Sequence, residues 1–138
     1  MMDFDDAYAN MAHIPDAPFF VAEWPERAAA FRATWQQKRL DIAYGSDPRQ
    51  RFDLFRPEGP AKGLAVFIHG GYWCAFAKDD WSHLAAGTLA RGFAVALPSY
   101  RLAPQVTLDE ICSDVAAAVT AAAGYVEGPI HLAGHSAG

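Results

Sequence analysis

The chain has 138 residues, of which 52% are hydrophobic and 20% are charged, a composition typical of one globular domain with its own core. Eleven Lys and Arg residues against 16 Asp and Glu residues give a formal net charge of −5, which argues against a nucleic-acid partner and against binding to an anionic membrane. The two cysteines, Cys74 and Cys112, form no CxxC pair, so we expect free thiols and a cytoplasmic protein.

An N-terminal segment without regular periodicity precedes the first predicted helix. Prolines punctuate residues 1–24, so we expect an irregular arm there. Its acidic start, MMDFDD, differs from a secretory signal, which needs basic residues followed by an apolar run. Pro25 suits the first position of a helix. A helix to about Lys38 is predicted by apolar residues at three- and four-residue spacing: Ala28, Phe31 and Trp35.

Two short segments of alternating apolar and polar residues follow this helix. Leu40, Ile42 and Tyr44 form the apolar set of the first segment, and Phe52 and Leu54 form that of the second. The sequence GSDP between them is rich in turn-forming residues. Because alternation with a period of two flanks a turn, the sequence predicts an antiparallel pair of strands.

Continuous apolar runs replace this alternation from residue 64 onward. The runs cover residues 64–68, 93–97 and 129–133, and each is expected to form a strand that is covered on both faces. Helical patterns separate the runs, and an alternation of strand and helix implies parallel pairing with right-handed crossovers. The sequence therefore predicts a single α/β domain over residues 1–138, with a mostly parallel sheet, helices on both faces and an antiparallel N-terminal edge.

Both crossover helices carry start and stop signals. The first has Asp79 or Asp80 as its cap and Gly92 as its end. The second begins with a Thr-x-x-Glu capping box at Thr107 and ends at Gly124. The expected buried faces contain Trp81, Leu84, Ala85 and Leu89 in the first helix and Ile111, Val115, Ala118, Val119 and Ala122 in the second. Each face has the spacing of a helix that packs on one side of a sheet.

The sequence GHSAG directly after the third run has the form G-x-S-x-G of a nucleophile elbow. A nucleophilic hydroxyl must be exposed to both a base and a substrate, and a sharp strand-to-helix turn exposes it by straining the serine backbone. Side chains two residues before and after Ser136 would collide, and Gly134 and Gly138 avoid that collision. Ser136 is therefore the candidate nucleophile, and a simple glycine–serine turn is the alternative.

A second glycine motif, HGGYW at residues 69–73, follows the first run. Acyl transfer places negative charge on the carbonyl oxygen, and preorganised backbone N–H groups can stabilise that charge. Glycines let the main chain approach this oxygen closely, so Gly70, Gly71 and the N–H of Ala137 are candidates for an oxyanion hole. The alternative is a glycine turn with aromatic residues packed beside it. Both motifs follow predicted parallel strands, which favours the catalytic interpretation.

Together the two motifs resemble the α/β-hydrolase superfamily, and the form HGGYW is similar to the kynurenine formamidase-like group of its esterase/lipase branch. The resemblance extends to the hairpin at residues 44–55, to YRLAP at residues 100–104 and to the arm, and it covers the N-terminal portion of such a fold, truncated at the elbow. It implies that Ser136 is the nucleophile and that Tyr72 and Trp73 line the substrate pocket. In this superfamily the triad acid and histidine follow the serine along the chain, so both are expected after residue 138.

The five histidines of the chain are poor candidates for the base. His69 and His135 lie inside the two motifs, where the resemblance gives neither that role, and His131, His83 and His13 lie in a predicted strand, a helix and the arm. No grouping of His, Cys, Asp or Glu has metal-ligand spacing, and no glycine loop matches a nucleotide-binding fingerprint. We therefore expect neither a metal nor another cofactor.

The function that these residues favour is hydrolysis of small-molecule carboxylic esters through an acyl-enzyme. Arylformamidase activity on N-formylkynurenine is the alternative within the same chemistry, and a non-catalytic ligand-binding homologue is the alternative of another class. The sequence leaves a homodimer open. We also expect residues 1–138 alone to be unstable or to aggregate, because the strand before Ser136 would be an open edge.

Overall fold

A mixed sheet of five strands runs through residues 3–138, the part of the chain that the computed structural model describes. The strands are β1 (Lys38–Ala43), β2 (Arg51–Phe55), β3 (Leu64–Ile68), β4 (Ala94–Pro98) and β5 (Ile130–Gly134). The helices of this part are α1 (Phe4–Ala7), α2 (Asn10–His13), α3 (Ala17–Thr34), α4 (Ala85–Ala90) and α5 (Leu108–Ala123), and two 3₁₀ turns, Lys78–Asp80 and Ser82–Leu84, precede α4. None of these described helices combines the length and the apolar character that crossing a membrane requires.

The strand order β1-β2-β4-β3-β5 joins an antiparallel edge to a parallel core. Strand β2 is antiparallel to both β1 and β4, whereas β3 is parallel to β4 and to β5. The predicted α/β fold with an antiparallel N-terminal edge is therefore confirmed. Because β3 and β5 are parallel neighbours, their carboxyl ends lie side by side, which brings together the two segments that follow them.

The N-terminal segment contains helices, so the irregular arm predicted over residues 1–24 is wrong where the structure describes it. Helices α1 and α2 are single turns, and α3 begins within the same stretch. The Asp3 carboxylate accepts the backbone N–H groups of Asp5 and Asp6 at 3.0 and 3.4 Å and thereby caps α1. The first two residues of the predicted arm lie outside the described residues.

Helix α3 continues through Pro25, which the sequence analysis predicted at the first position of a helix. Pro18 lies in the first turn of α3 instead, where a missing N–H has no intrahelical bond to lose. The helix persists beyond Pro25 because Trp24 and Phe31 pack against the apolar side chains of the sheet and α4. Tertiary packing thus outweighs the helical hydrogen bond that the proline removes.

Two apolar layers cover opposite faces of the sheet. The layer under α5 contains Phe52, Leu54, Leu64, Val66 and Ile111. The layer under α3 and α4 contains Phe55, Trp81, Leu89, Val95 and Leu97. The predicted arrangement of helices on both faces is therefore present, with the sheet as the middle layer.

The two crossovers match their predictions to different degrees. Helix α5 begins with the expected capping box, in which the N–H of Glu110 donates to the Thr107 hydroxyl at 3.3 Å and the N–H of Thr107 donates to the Glu110 carboxylate at 2.8 Å. It ends with Gly124 as its cap. Residues 78–84, in contrast, form 3₁₀ turns rather than an α-helix, so their side chains repeat every three residues. As a result Leu84 leaves the predicted buried stripe and is 45% exposed.

Within residues 3–138, strand β5 has no layer packed on the faces that the sequence analysis predicts to be covered. Among the described residues it pairs with β3 alone, and it lies at the edge of the sheet. All of its residues are exposed, including Leu132 with 64% of its surface. The apolar run therefore identifies the strand correctly.

Candidate active site

Ser136 lies on a sharp turn directly after β5. Its backbone φ of +56° is in the left-handed region, which a serine occupies only when the surrounding chain imposes it. A Cβ atom on Gly134 would collide with the carbonyl oxygen of Gly138, and one on Gly138 would collide with the carbonyl oxygen of Ile68. Both glycines that the sequence analysis assigned to the elbow are therefore required by this geometry.

The segment after β3, which we call the glycine loop (residues 69–77), lies against this turn. The N–H of His135 donates to the carbonyl of Ile68, the last residue of β3, at 3.1 Å. A Cβ atom on Gly70 would lie 3.0 Å from the Cβ of Ser136 and 2.7 Å from the His135 carbonyl oxygen. The main chain of Gly70 thus passes directly beside the serine, at a distance that only a glycine permits.

Several backbone N–H groups in these two segments have no backbone acceptor within residues 3–138. Those of Gly70, Gly71 and Ala137, the residues that the sequence analysis selected for an oxyanion hole, are among them. Their neighbour Ser136 has an exposed side chain. An unpaired N–H beside an exposed hydroxyl can donate to a carbonyl oxygen that develops negative charge.

Tyr72 and Trp73 continue the glycine loop in strained backbone conformations, with φ of +51° and +59°. The Tyr72 side chain is 57% exposed, and its hydroxyl donates to the carbonyl of Tyr8 at 3.3 Å, so it points toward the N-terminal helices. Trp73 lines an apolar groove of about 680 Å³ beside α5, together with Ala137 and Gly138. The two aromatic side chains thus point in different directions, and of the two only Trp73 lines the groove that reaches the elbow.

His69, the first residue of the glycine loop, is buried and braces the loop from within. Its Nδ1 donates to the Gly70 carbonyl at 2.7 Å, and its ring stacks on Tyr100 with the ring centroids 4.3 Å apart. The Tyr100 hydroxyl in turn donates to the His69 carbonyl at 2.7 Å. Because the N–H of a trans peptide points away from its carbonyl, these two bonds orient the N–H groups of Gly70 and Gly71.

Burial keeps both rings in the protonation states that these bonds need. Removal from water lowers the pKa of His69, so its ring is neutral near pH 7 and carries its proton on Nδ1. The Nε2 atom of His69 is buried and has no hydrogen-bond partner in the described part of the chain. Burial also raises the pKa of Tyr100, whose hydroxyl therefore stays protonated as a donor. His69 shapes the loop, and its enclosed ring is not arranged to accept a proton from Ser136.

Other histidines are engaged elsewhere in the fold. The His135 ring faces Trp81 with the centroids 6.1 Å apart, and the His131 ring packs edge-on against Phe93. His13 bonds to a carbonyl within the N-terminal helices. Across residues 3–138, no three His, Cys, Asp or Glu side chains are grouped so that they could hold a metal ion.

A protein-family model described as the alpha/beta hydrolase fold matches residues 65–138, which is more than half of the chain. The chain belongs to the alpha/beta hydrolase family. The matched residues begin in β3 and continue through the glycine loop, both crossovers and the elbow. The match therefore spans the parallel part of the sheet and the two segments that meet at Ser136.

Curated relatives of this alpha/beta hydrolase chain include two kinds of hydrolytic enzyme. The chain is 31% identical over 107 residues to kynurenine formamidase from Danio rerio, a match that covers 74% of this chain and 36% of that protein. It is 35% identical over 111 residues to isoprenylcysteine alpha-carbonyl methylesterase from Arabidopsis thaliana, with coverage of 75% and 26%. The matches thus span about a third of the length of these relatives or less.

Solved structures extend the similarity over the whole alpha/beta hydrolase chain. A candidate thioesterase from Silicibacter sp. TM1040 is 53% identical, with a TM-score of 0.96 over all of this chain and 53% of its own. Esterase B from Lactobacillus rhamnosis, at 24% identity, has the same fold, with a TM-score of 0.61 over 85% of this chain and 43% of its own. The chain corresponds to about half of each solved protein.

Two buried ion pairs beside the site were not predicted from the sequence. Asp114 of α5 is 2% exposed and accepts two bonds from the Arg101 guanidinium, at 2.7 and 2.9 Å. Lys78, just after the glycine loop, has its Nζ 3.0 Å from the fully buried Asp53 carboxylate. A signal existed for Asp114, because it shares the helix face of Ile111. Nothing comparable in the sequence indicates that Asp53, in a short alternating strand, pairs with the distant Lys78.

Proposed function

We propose that residues 1–138 supply the nucleophile and the oxyanion hole of a serine hydrolase, and that this enzyme hydrolyses small carboxylic esters. The observation that carries the proposal is the close approach of Ser136 to the main chain of Gly70 at the ends of β3 and β5, where the N–H groups of Gly70, Gly71 and Ala137 have no backbone acceptor within residues 3–138. The strained backbone of Ser136 adds support, since such strain is maintained where it exposes a functional side chain. The hydrolytic activities that name the relatives point to the same class of reaction.

In the proposed reaction, Oγ of Ser136 attacks the ester carbonyl carbon, and its proton passes to a histidine outside residues 1–138 that an acid orients. The carbonyl oxygen becomes an oxyanion, to which the N–H groups of Gly70, Gly71 and Ala137 donate, each contributing about 3 kcal/mol to stabilising the transition state. The tetrahedral intermediate expels the alcohol, which takes up the proton. Water then attacks the acyl-enzyme by the same route and releases the carboxylic acid.

Arylformamidase activity is the second candidate, favoured by the 31% identity with a kynurenine formamidase. A formamide presents the same carbonyl to the serine, with an aryl amine in place of the alcohol. The Trp73 ring in the groove beside the elbow offers a surface on which an aryl group can stack. A non-catalytic ligand-binding protein is the candidate of another class, and it differs from both enzymes in having no base for Ser136.

The test compares wild type with Ser136→Ala in the full-length protein that contains residues 1–138. The substrates are a short-chain aryl ester and N-formylkynurenine, and the faster wild-type reaction selects between the two activities. We expect Ser136→Ala to lower kcat by roughly 10⁶-fold, because the attacking oxygen is lost. Ser113→Ala removes an exposed hydroxyl on α5 and serves as the matched control, with kcat unchanged.

Covalent labelling separates the enzyme from the binding protein. A fluorophosphonate probe should add to Ser136 of the wild-type protein and leave Ser136→Ala unlabelled. Equal hydrolysis by the two proteins would remove the serine from the mechanism. A folded protein that binds an ester without hydrolysing it, and that resists the probe, would favour the binding function.

A cytoplasmic location is part of the proposal. Cys74 and Cys112 are exposed free thiols. Such thiols persist in a reducing compartment, whereas an oxidising one favours disulfides. Fractionation of cells that express the tagged full-length protein tests the location.

A further inference from the structure

Arg49, in the turn between β1 and β2, joins two segments that are distant from it in sequence. Its Nε donates to the carbonyl oxygen of Tyr100 at 2.7 Å, and its Nη2 donates to that of Phe76 at 2.6 Å. The planar guanidinium holds these donors in a fixed fork, so a single rigid group sets the spacing of the two carbonyls. The Asp47 carboxylate accepts the backbone N–H of Arg49 at 2.8 Å and stabilises the turn itself.

The Phe76 carbonyl lies near the end of the glycine loop, where the chain returns toward the sheet. A Cβ atom on Gly71 would lie 2.7 Å from the Phe76 ring and 2.5 Å from the Ala75 carbonyl oxygen, so the returning chain packs directly on Gly71. Phe76 has a φ of +70°, a conformation that a phenylalanine keeps only when its neighbours hold it. The bond from Arg49 is one of the contacts that hold it.

The Tyr100 carbonyl belongs to the residue that supports the beginning of the same loop. The Tyr100 ring stacks on His69, and its hydroxyl donates to the His69 carbonyl. The next bond, from His69 Nδ1, reaches the Gly70 carbonyl. Arg49 is therefore connected to both ends of the glycine loop, through Tyr100 at its beginning and through Phe76 at its end.

We propose that Arg49 is a positioning residue that keeps the N–H groups of Gly70 and Gly71 aimed at the developing oxyanion, an inference that rests on the proposed function. It acts through Tyr100 and Phe76 rather than by contact with the substrate. Because the oxyanion forms only in the transition state, loss of Arg49 should lower kcat and leave KM unchanged.

Arg51, the first residue of β2, provides a matched control two residues further along the chain. Its Nη1 donates to the carbonyl oxygens of Gly45, Asp47 and Gln50, all within the β1–β2 turn. Both arginines are half-buried and donate to backbone carbonyls, Arg51 to those of the β1–β2 turn and Arg49 to those of Tyr100 and Phe76. Arg51→Met therefore reproduces the loss of a half-buried cation and of its carbonyl contacts without cutting the connection to Gly70 and Gly71.

The experiment measures ester hydrolysis by the full-length hydrolase as wild type, Arg49→Met, Arg49→Lys and Arg51→Met. We expect Arg49→Met to lower kcat by about 100-fold at unchanged KM, as a small misplacement of oxyanion donors does, and Arg51→Met to stay within about twofold of wild type. Arg49→Lys keeps the charge but cannot bridge both carbonyls, so its kcat should lie between those values. An alkylboronic acid, which forms a tetrahedral adduct on the serine, should lose affinity in parallel with kcat.

Near-UV circular dichroism at the assay temperature shows whether each variant is folded. A wild-type kcat in folded Arg49→Met, a rise in KM alone, or equal losses in the two methionine variants would overturn the proposal. If Arg49→Met does not fold, Arg49→Lys decides, since a lower kcat at unchanged KM supports the proposal and a wild-type kcat or failure to fold overturns it. Full activity of Ser136→Ala would instead remove the proposed function, whatever Arg49 does.

Discussion

The two strand ends that meet beside Ser136 are held in different ways. The glycine loop after β3 is anchored by buried groups, with Tyr100 and His69 at its beginning, Arg49 near its end and Lys78 just after it. The elbow after β5 follows a strand at the sheet edge whose residues are all exposed. Contacts within residues 3–138 therefore hold the glycine loop more firmly than they hold the elbow.

This difference shows where each half of the proposed site obtains its rigidity. The left-handed φ of Ser136 costs on the order of 1–3 kcal/mol, which neighbouring contacts must offset. On the β3 side the elbow has the carbonyl of Ile68 as its hydrogen-bond acceptor. Within residues 3–138, the oxyanion half of the proposed site is thus held by more side-chain contacts than the nucleophile half.

The largest expected effect concerns the polypeptide of residues 1–138 by itself. We predict that it aggregates when it is expressed alone, because β5 exposes both an unpaired edge and the apolar side chains of Ile130 and Leu132. Light scattering and size-exclusion chromatography measure this outcome. A soluble monomer that unfolds in one cooperative transition would show instead that the elbow side is stable without further packing.

Charged substitutions on β5 sharpen the same prediction. Ile130→Lys combined with Leu132→Lys puts two charges on one face of the edge strand and should reduce aggregation of the isolated polypeptide. His131→Lys places a charge on the opposite face, where the ring packs against Phe93, and is the matched control. Equal effects of the two designs would mean that net charge, not the apolar face, controls aggregation.

The next effect tests the anchor of the glycine loop. Lys78→Met in the full-length protein should lower the free energy of unfolding by about 3–5 kcal/mol, because it leaves the Asp53 carboxylate buried without a counterion. Lys62→Met, which removes an exposed lysine, should have little effect. Urea denaturation measures both changes. Adding Asp53→Asn to Lys78→Met removes the uncompensated charge and should recover most of the loss; no recovery would point to lost packing instead.

The smallest effect concerns the ion pair between Arg101, in the segment after β4, and Asp114 of α5. This segment contacts the glycine loop, because the N–H of Ala103 donates to the carbonyl of Trp73. Burial alone would raise the pKa of Asp114, but hydrogen bonds from Arg101 and Gln50 outweigh it and lower this pKa below its ordinary 3.8. The stability that ionised Asp114 contributes is therefore present above about pH 4 and is lost as pH falls through the lowered folded pKa. We expect Asp114→Asn to cost about 2 kcal/mol at pH 7 and progressively less below pH 4.

Urea denaturation between pH 7 and pH 3 measures this dependence. Asp109→Asn, an exposed carboxylate in the first turn of the same helix, is the control, and its effect should be small. A difference between wild type and Asp114→Asn that stays constant down to pH 3 would contradict the ion-pair account. It would leave shape and hydrogen bonding as the contribution of Asp114 to stability.

Features that reside in one short segment were predicted well from the sequence. The capping box of Thr107 and Glu110 depends on a few adjacent residues, so its pattern identifies it directly. The wrong predictions at Pro25 and Leu84 have a common cause. In each, packing against residues distant in sequence decides the local outcome, and local periodicity does not encode that packing.

By itself, the sequence determined the order of the five strands and the positions of both glycine motifs, because residue spacing and the steric need for glycine are local properties. Only the tertiary structure decided that the two motifs meet and how they are braced. The partner of a side chain such as Arg49, Tyr100 or Lys78 is whichever carbonyl or carboxylate the folded chain brings within hydrogen-bond reach. That proximity is created by sheet order and register, so it exists only after the whole domain has folded.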